Sequence, residues 1–145
     1  MMDKVFVDTN ILLDVLFERE NYQSSLKLLQ MGDDGKVQLC TSVLSMANIA
    51  YLLRKAFTPG ELAATLAQLS SLMQILPMDE KQFQEALLLS GPDFEDILQT
   101  VCAVEGACNI LVTHTPRDFS ILPGLAKQMR LPTIYTPESY LLGKK

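Results

Sequence analysis

A chain of 145 residues, 48% hydrophobic and 20% charged, can bury the core of one domain, residues 1–145, and is too apolar to be a disordered chain. Its net charge of −5 excludes an extended basic surface for nucleic acid, although acids clustered to hold cations would contribute to that total. No apolar run approaches the roughly 20 residues of a membrane span, so no membrane partner is expected. The opening MMDKVFVD enters a strand at once and leaves no room for a secretory signal. Cys40, Cys102 and Cys108 are odd in number and lack metal-ligand spacing. They read as buried thiols in a reducing cytoplasm.

The chain alternates strand and helix patterns throughout. Val5, Phe6 and Val7 form a short β-branched and aromatic run, suited to a strand covered on both faces of a parallel sheet. Asp8 follows where that strand ends. Thr9 or Asn10 can cap a helix, and Ile11, Leu12, Val15 and Leu16 recur at helical spacing. Asn21 to Met31 predicts a second helix, ended by the polar GDDGK turn, and Val37 to Cys40 a second strand. Thr41 or Ser42 can cap a helix reaching about Ala56. Thr58-Pro59-Gly60-Glu61 starts the next, with a cap, a proline at the first helical position and a capping-box glutamate. Leu62, Leu66, Leu69, Met73 and Leu76 form an apolar stripe, read first as a core face and second as a dimer interface. Gln74 to Leu76 can instead close as a brief strand. Asp79-Glu80-Lys81-Gln82 opens a helix to about Leu89, and Ser90 to Asp93 is a loop. Phe94 to Glu105 is helical with Gly106 as its stop, and Asn109 to Thr113 is a strand. A loop with Pro116 precedes a segment from Phe119 to Leu122. Thr133 to Tyr135 is a further strand, and Thr136-Pro137-Glu138 starts a short last helix. Such alternation implies a parallel sheet with helices on both faces.

Three acids fall at related places. Asp8 follows the first strand, Asp96 lies in the first turn of the helix before the fourth, and Asp118 lies just past the fourth. Ligands of open α/β sheets bind at the C-terminal ends of the strands, and in a sheet centred on strands one and four all three could converge there. Carboxylates forced together repel and rise in pKa unless a cation compensates them. Oxygen donors of this kind suit Mg²⁺ or Mn²⁺, which activate water and steady a phosphate. Taken singly, each has a plainer reading. Asp8 caps a helix, and Asp96 is an acid favoured near a helix N-terminus. Asp93 shares a face with Asp96 or caps its helix, and Glu95 points elsewhere, to the surface.

VDTNILLDVL, TSVLSMANIAYLLRK and DFEDILQTVCAVEGACNILVTHTPRDF, taken together, resemble a PIN domain over nearly the whole chain. The resemblance implies a three-layer α/β/α fold with a central parallel sheet of about five strands in the order 3-2-1-4-5. It implies a metal-dependent nuclease acting on RNA, leaving 5′-phosphate and 3′-hydroxyl ends. Many members are toxins of toxin–antitoxin pairs, so an antitoxin is an expected partner. Asp8, Asp96 and Asp118 would hold Mg²⁺ or Mn²⁺. Asn48 stands where most members carry a glutamate, as in one branch of the family. Thr115 stands where the signature around Thr113-His114-Thr115-Pro116-Arg117-Asp118-Phe119 often carries asparagine. Asn48 is uncharged, so weaker metal binding and slower cleavage are expected. Thr9 and Thr113 would bond the carboxylates or the attacking water. Asn10, Asp93 and Thr115 complete the surroundings of the site. Arg117 would meet a phosphate at the rim, or solvent. His114 reads as a loop residue beside the site rather than its base. PIN domains commonly pair, and a mean hydropathy of +0.18 leaves apolar surface to hide, so a homodimer is expected.

Two rival classes remain. A weakened PIN fold that binds RNA or a protein without cleaving would explain Asn48 and Thr115. A phosphatase of the haloacid dehalogenase type also starts from an Asp after its first strand. Its general acid two residues on would here be Asn10, which cannot donate a carboxyl proton.

Overall fold

The run that opens the chain sits at the centre of the molecule. In the computed structural model, which describes residues 1–89, 92–119 and 130–143, β1 (Lys4–Val7) is flanked on both sides. It pairs in parallel with β2 (Gln38–Ser42) and with β4 (Ile110–Val112). β3 (Gln74–Leu76) and β5 (Thr133–Tyr135) add the parallel edges. The order is β3-β2-β1-β4-β5, as the resemblance implies.

Because successive side chains of a strand point to opposite faces, the sheet sorts its residues into two cores. Val5, Val7, Leu39, Ile110 and Val112 join one, packed with α1 (Thr9–Phe17), α2 (Tyr22–Asp33), α3 (Val43–Leu53) and α4 (Pro59–Leu72). Phe6, Cys40 and Leu111 join the other, against Cys102 and Ala103 of α6 (Phe94–Glu105). α5 (Glu80–Leu88) packs on α6 around Ala86, Ile97 and Val101. All three cysteines are buried and free, as expected. A final helix, α7 (Pro137–Leu142), returns to the first face through Tyr140.

Local signals predict the helix starts well. Thr58 and Glu61, then Asp79 and Gln82, close both halves of their capping boxes. The structure differs at other ends. The cap of α1 is Asp8 itself, so Thr9 and Asn10 are helical residues. β2 runs on to Ser42 because Thr41 and Ser42 pair with Ile75 and Leu76 of β3. α3 ends at Leu53 rather than near Ala56. α4 ends at Leu72, where Met73 turns extended and leads into β3. The apolar stripe faces the protein's own interior. Leu69, Met73 and Leu76 are buried, and Leu62 and Leu66 pack against the first core. The stripe thus packs as a core face, the first of its two readings. Ser90 and Gly91 of the expected loop, the stretch from Ser120 to Leu122, Lys127 and Lys144–Lys145 lie outside the described residues. Among the described residues no helix is long and apolar enough to cross a membrane.

Candidate active site

Every element that delivers a site residue does so at the C-terminal edge of the sheet. Asp8 leaves β1 with its amide still donating to the Val112 carbonyl of β4, at 3.0 Å. Its side chain then does two jobs. Oδ1 accepts the Thr9 amide at 2.8 Å, and Oδ2 accepts the Thr113 hydroxyl at 3.0 Å. Burial pushes the Asp8 carboxyl pKa up, against these two donors, which favour its charged form. The Thr113 oxygen is held in turn by the Thr115 amide at 3.1 Å, so the strand end and the loop after it fix one carboxylate together.

Asp96 enters from α6. Asp93 caps that helix by accepting the Asp96 amide at 3.1 Å. The Asp96 carboxyl is half-buried and its pKa is pushed up to about 7, first by lost hydration and then by the charges of Asp8, Asp93, Asp118 and Glu95. Burial is the larger cause of that shift, and the four neighbouring acids add to it in the same direction. Asp118 arrives from a 3-10 turn, Pro116–Phe119, anchored by buried Phe119. Asp8, Asp96 and Asp118 thus line a single cavity of about 450 Å³, joined by Asp93 and Glu95. Asn48, Thr9, Asn10 and Thr115 line it too, and Tyr51 and Leu52 form an apolar wall.

The remaining expected residues lie as follows. Thr9 bonds Asp8 only through its amide, while its hydroxyl donates to Ser45 at 2.9 Å. Asn10 is at the exposed rim, accepting from Arg19 at 3.2 Å. Arg117 is exposed on the turn and is not among the described residues lining the cavity. His114 is beside the site rather than in it. Its Nε2 pairs with Asp14, a buried acid of α1 that also accepts the Ser25 hydroxyl at 2.9 Å.

Sequence reasoning missed three features. Glu95, expected to point elsewhere, is solvent-exposed, yet it lines the cavity and accepts the Asn48 amide at 2.6 Å. The His114–Asp14 pair spans 100 positions, and its only sequence signal was an acid three residues after Ile11 on the buried side of α1. The third is a closed buried network. Ser42 donates to Gln99 at 2.6 Å, and Gln99 donates to Ser45 at 2.9 Å. Ser45 also accepts Thr9, and its amide caps onto Ser42. An amide in the apolar run of α6, three residues after Asp96, was the available hint.

Oxygen donors and crowded negative charge make this cavity suit a hard divalent ion. Among the described residues no three acids, histidines or cysteines are gathered tightly enough to hold an ion as they stand. The carboxylates share a cavity without forming a closed cage.

A three-layer α/β fold with acids at the C-terminal edge of a five-stranded parallel sheet defines a class, and a PIN domain family model matches residues 4–115. The chain belongs to the PIN domain family. Ribonuclease VapC1 of Aquifex aeolicus is 27% identical over 124 residues, covering 81% of this chain and 85% of that protein. Among solved structures, a toxin–antitoxin complex from Klebsiella pneumoniae is similar at a TM-score of 0.64 and 18% identity, over 92% of this chain and 97% of that one. VapBC2 from Rickettsia felis, bound to a promoter DNA fragment, is similar at 0.63 and 16% identity, over 92% and 98%. At such identities the two structures establish the shared fold.

Proposed function

We propose that this protein is a metal-dependent endoribonuclease, the toxin of a toxin–antitoxin pair. The observation that carries the reading is the cavity where Asp8, Asp96 and Asp118 meet at the sheet edge, in a PIN domain whose curated relative is a ribonuclease. Asp8, Asp96 and Asp118 would hold Mg²⁺ or Mn²⁺. When bound, such an ion supplies positive charge that acidifies water and offsets the charge of a phosphate.

The chain's own residues do the positioning. Thr113 and the Thr9 amide aim Asp8 from two sides and favour its charged form against the effect of burial. The Asp93 cap sets the first turn of α6 and with it Asp96. Tyr51 and Leu52 give a sugar or base an apolar wall beside the acids. Hydrolysis of the phosphodiester would add water at phosphorus and release the 3′ oxygen, giving 5′-phosphate and 3′-hydroxyl ends. The RNA is expected to need the cation for entry, because the cavity itself is acidic.

The test is cleavage of single-stranded RNA by purified protein with Mn²⁺, with EDTA, and after Asp8→Asn or Asp96→Asn. Cleavage with Mn²⁺ alone, lost with EDTA and in both variants, supports the reading. Equal cleavage by wild type and variants places the activity elsewhere. The uncharged Asn48 in the cavity wall favours one alternative, a binding module. Retained RNA binding without cleavage under any metal would select it. An antitoxin partner is supported by the complexes among the structural neighbours.

A further inference from the structure

Asn48 and Glu95 approach the cavity from different helices, α3 and α6, and meet across 47 positions of sequence. The bond runs from the Asn48 amide nitrogen to Glu95 Oε1 at 2.6 Å. Its chemistry is specific. A lysine or arginine in place of Asn48 would neutralise the acid, whereas a neutral amide fixes its position and leaves its charge intact. The bond engages one carboxylate oxygen, and the group retains acceptor capacity for a cation. Among the described residues no cation pairs with Glu95. An exposed glutamate is free to turn to solvent, away from Asp8, Asp96 and Asp118. Here it is tied into the wall of the cavity those acids line. Gathering like charges this way is unfavourable in isolation and becomes favourable when a cation joins them.

We propose that Glu95 is the fourth acid of the site, contributing its charge to the divalent ion, and that Asn48 is the positioning residue that holds it there. The proposal rests on the metal-dependent reading above and deepens it. The acid comes from α6, and the residue on α3 directs it. Since the two side chains touch, exchanging them should return a carboxylate to the same place from the opposite helix.

Calorimetric titration with Mn²⁺ tests this on the wild type, Glu95→Gln, Asn48→Ala, the exchange Asn48→Glu/Glu95→Gln, and Asp96→Asn. Glu95→Gln keeps an acceptor for Asn48 and removes the charge. It should weaken Mn²⁺ binding by at least about tenfold, and Asn48→Ala by about tenfold, the usual range for groups that support a metal site. The exchange should recover most of the loss. In metal-free protein Glu95→Gln should raise the melting temperature, since one repelling charge is gone. That readout needs no activity. If Asp96→Asn loses affinity while Glu95→Gln binds as wild type, Glu95 is a surface residue and the proposal fails alone. If wild type, Glu95→Gln and Asp96→Asn bind Mn²⁺ alike, the metal-dependent reading of this cavity fails with it. If the exchange binds no better than Glu95→Gln, the two positions do not serve one place.

Discussion

Asp96 carries the sharpest consequence at the scale of single residues. Its pKa is raised from an ordinary 3.8 to about 7, mainly by burial and then by neighbouring acids, so protonation favours the folded state. Relative to the unfolded chain, that stabilisation is complete below about pH 4. It is lost as pH rises through about 7, where the folded protein must ionise Asp96 among like charges. Metal-free protein should therefore melt at progressively lower temperature from pH 5 to 8, and Asp96→Asn should flatten this slope. Melting curves in EDTA check it, and parallel slopes for the two proteins would refute it. Thr113→Val gives a second expectation. It removes the donor to Asp8 Oδ2 with little change of shape and should cost about 2 kcal/mol, read by urea unfolding. The Asp8 carboxyl should rise further, so the acid limb of the cleavage profile should move to higher pH.

Elements are held together at the site by buried polar groups more than by the acids themselves. Thr9, Ser42, Ser45 and Gln99 join the start of α1, the start of α3 and the middle of α6, and these helices carry or adjoin Asp8, Asn48 and Asp96. The network is continuous: Ser45 accepts from Thr9 and Gln99, Ser42 donates to Gln99, and the Ser42 and Ser45 hydroxyls are in contact at 3.2 Å. Gln99→Leu would remove the acceptor of the Ser42 hydroxyl and one of the donors to Ser45, and should cost about 2 kcal/mol. It should also weaken Mn²⁺ binding, because α6 loses its buried tie to the start of α3. Thr58→Ala is the control. It removes the N-cap of α4 away from the cavity and should cost about 1 kcal/mol with metal binding unchanged. Urea unfolding with calorimetry separates the two. Equal effects on Mn²⁺ affinity would deny the network any special bearing on the site.

For the whole molecule, the apolar stripe of α4 packs against the protein's own core, with Leu69 buried and Leu62 and Leu66 partly buried. Phe83, Leu87 and Leu88 of α5 and Phe94 of α6 stay exposed, with Phe83 and Phe94 in edge-to-face contact. A homodimer remains the expected state, and sedimentation at micromolar concentration should show it. A monomer there would withdraw the expectation.

What the sequence determined by itself is what short-range physics decides. The buried run before Asp8, the capping boxes at Thr58 and Asp79 and the span of α6 depend on residues within a turn or two of each other. Strand–helix alternation put Asp8, Asp96 and Asp118 at the same end of the sheet, while their convergence needed strands one and four at its centre, and the strand order came from the resemblance, since periodicity carries no information about which strands are neighbours. Glu95 could not be read this way. Adjacent helix residues point about 100° apart, so a helix alone sends Glu95 away from Asp96. Only the tertiary fold, which brings α3 and α6 from opposite faces of the sheet to the same edge, puts Asn48 within reach of Glu95 at the cavity wall. The pairs His114–Asp14 and Ser42–Gln99 are likewise products of tertiary structure. They join positions far apart in the chain, and a hydrogen bond across such a distance exists only after the sheet has brought its ends together.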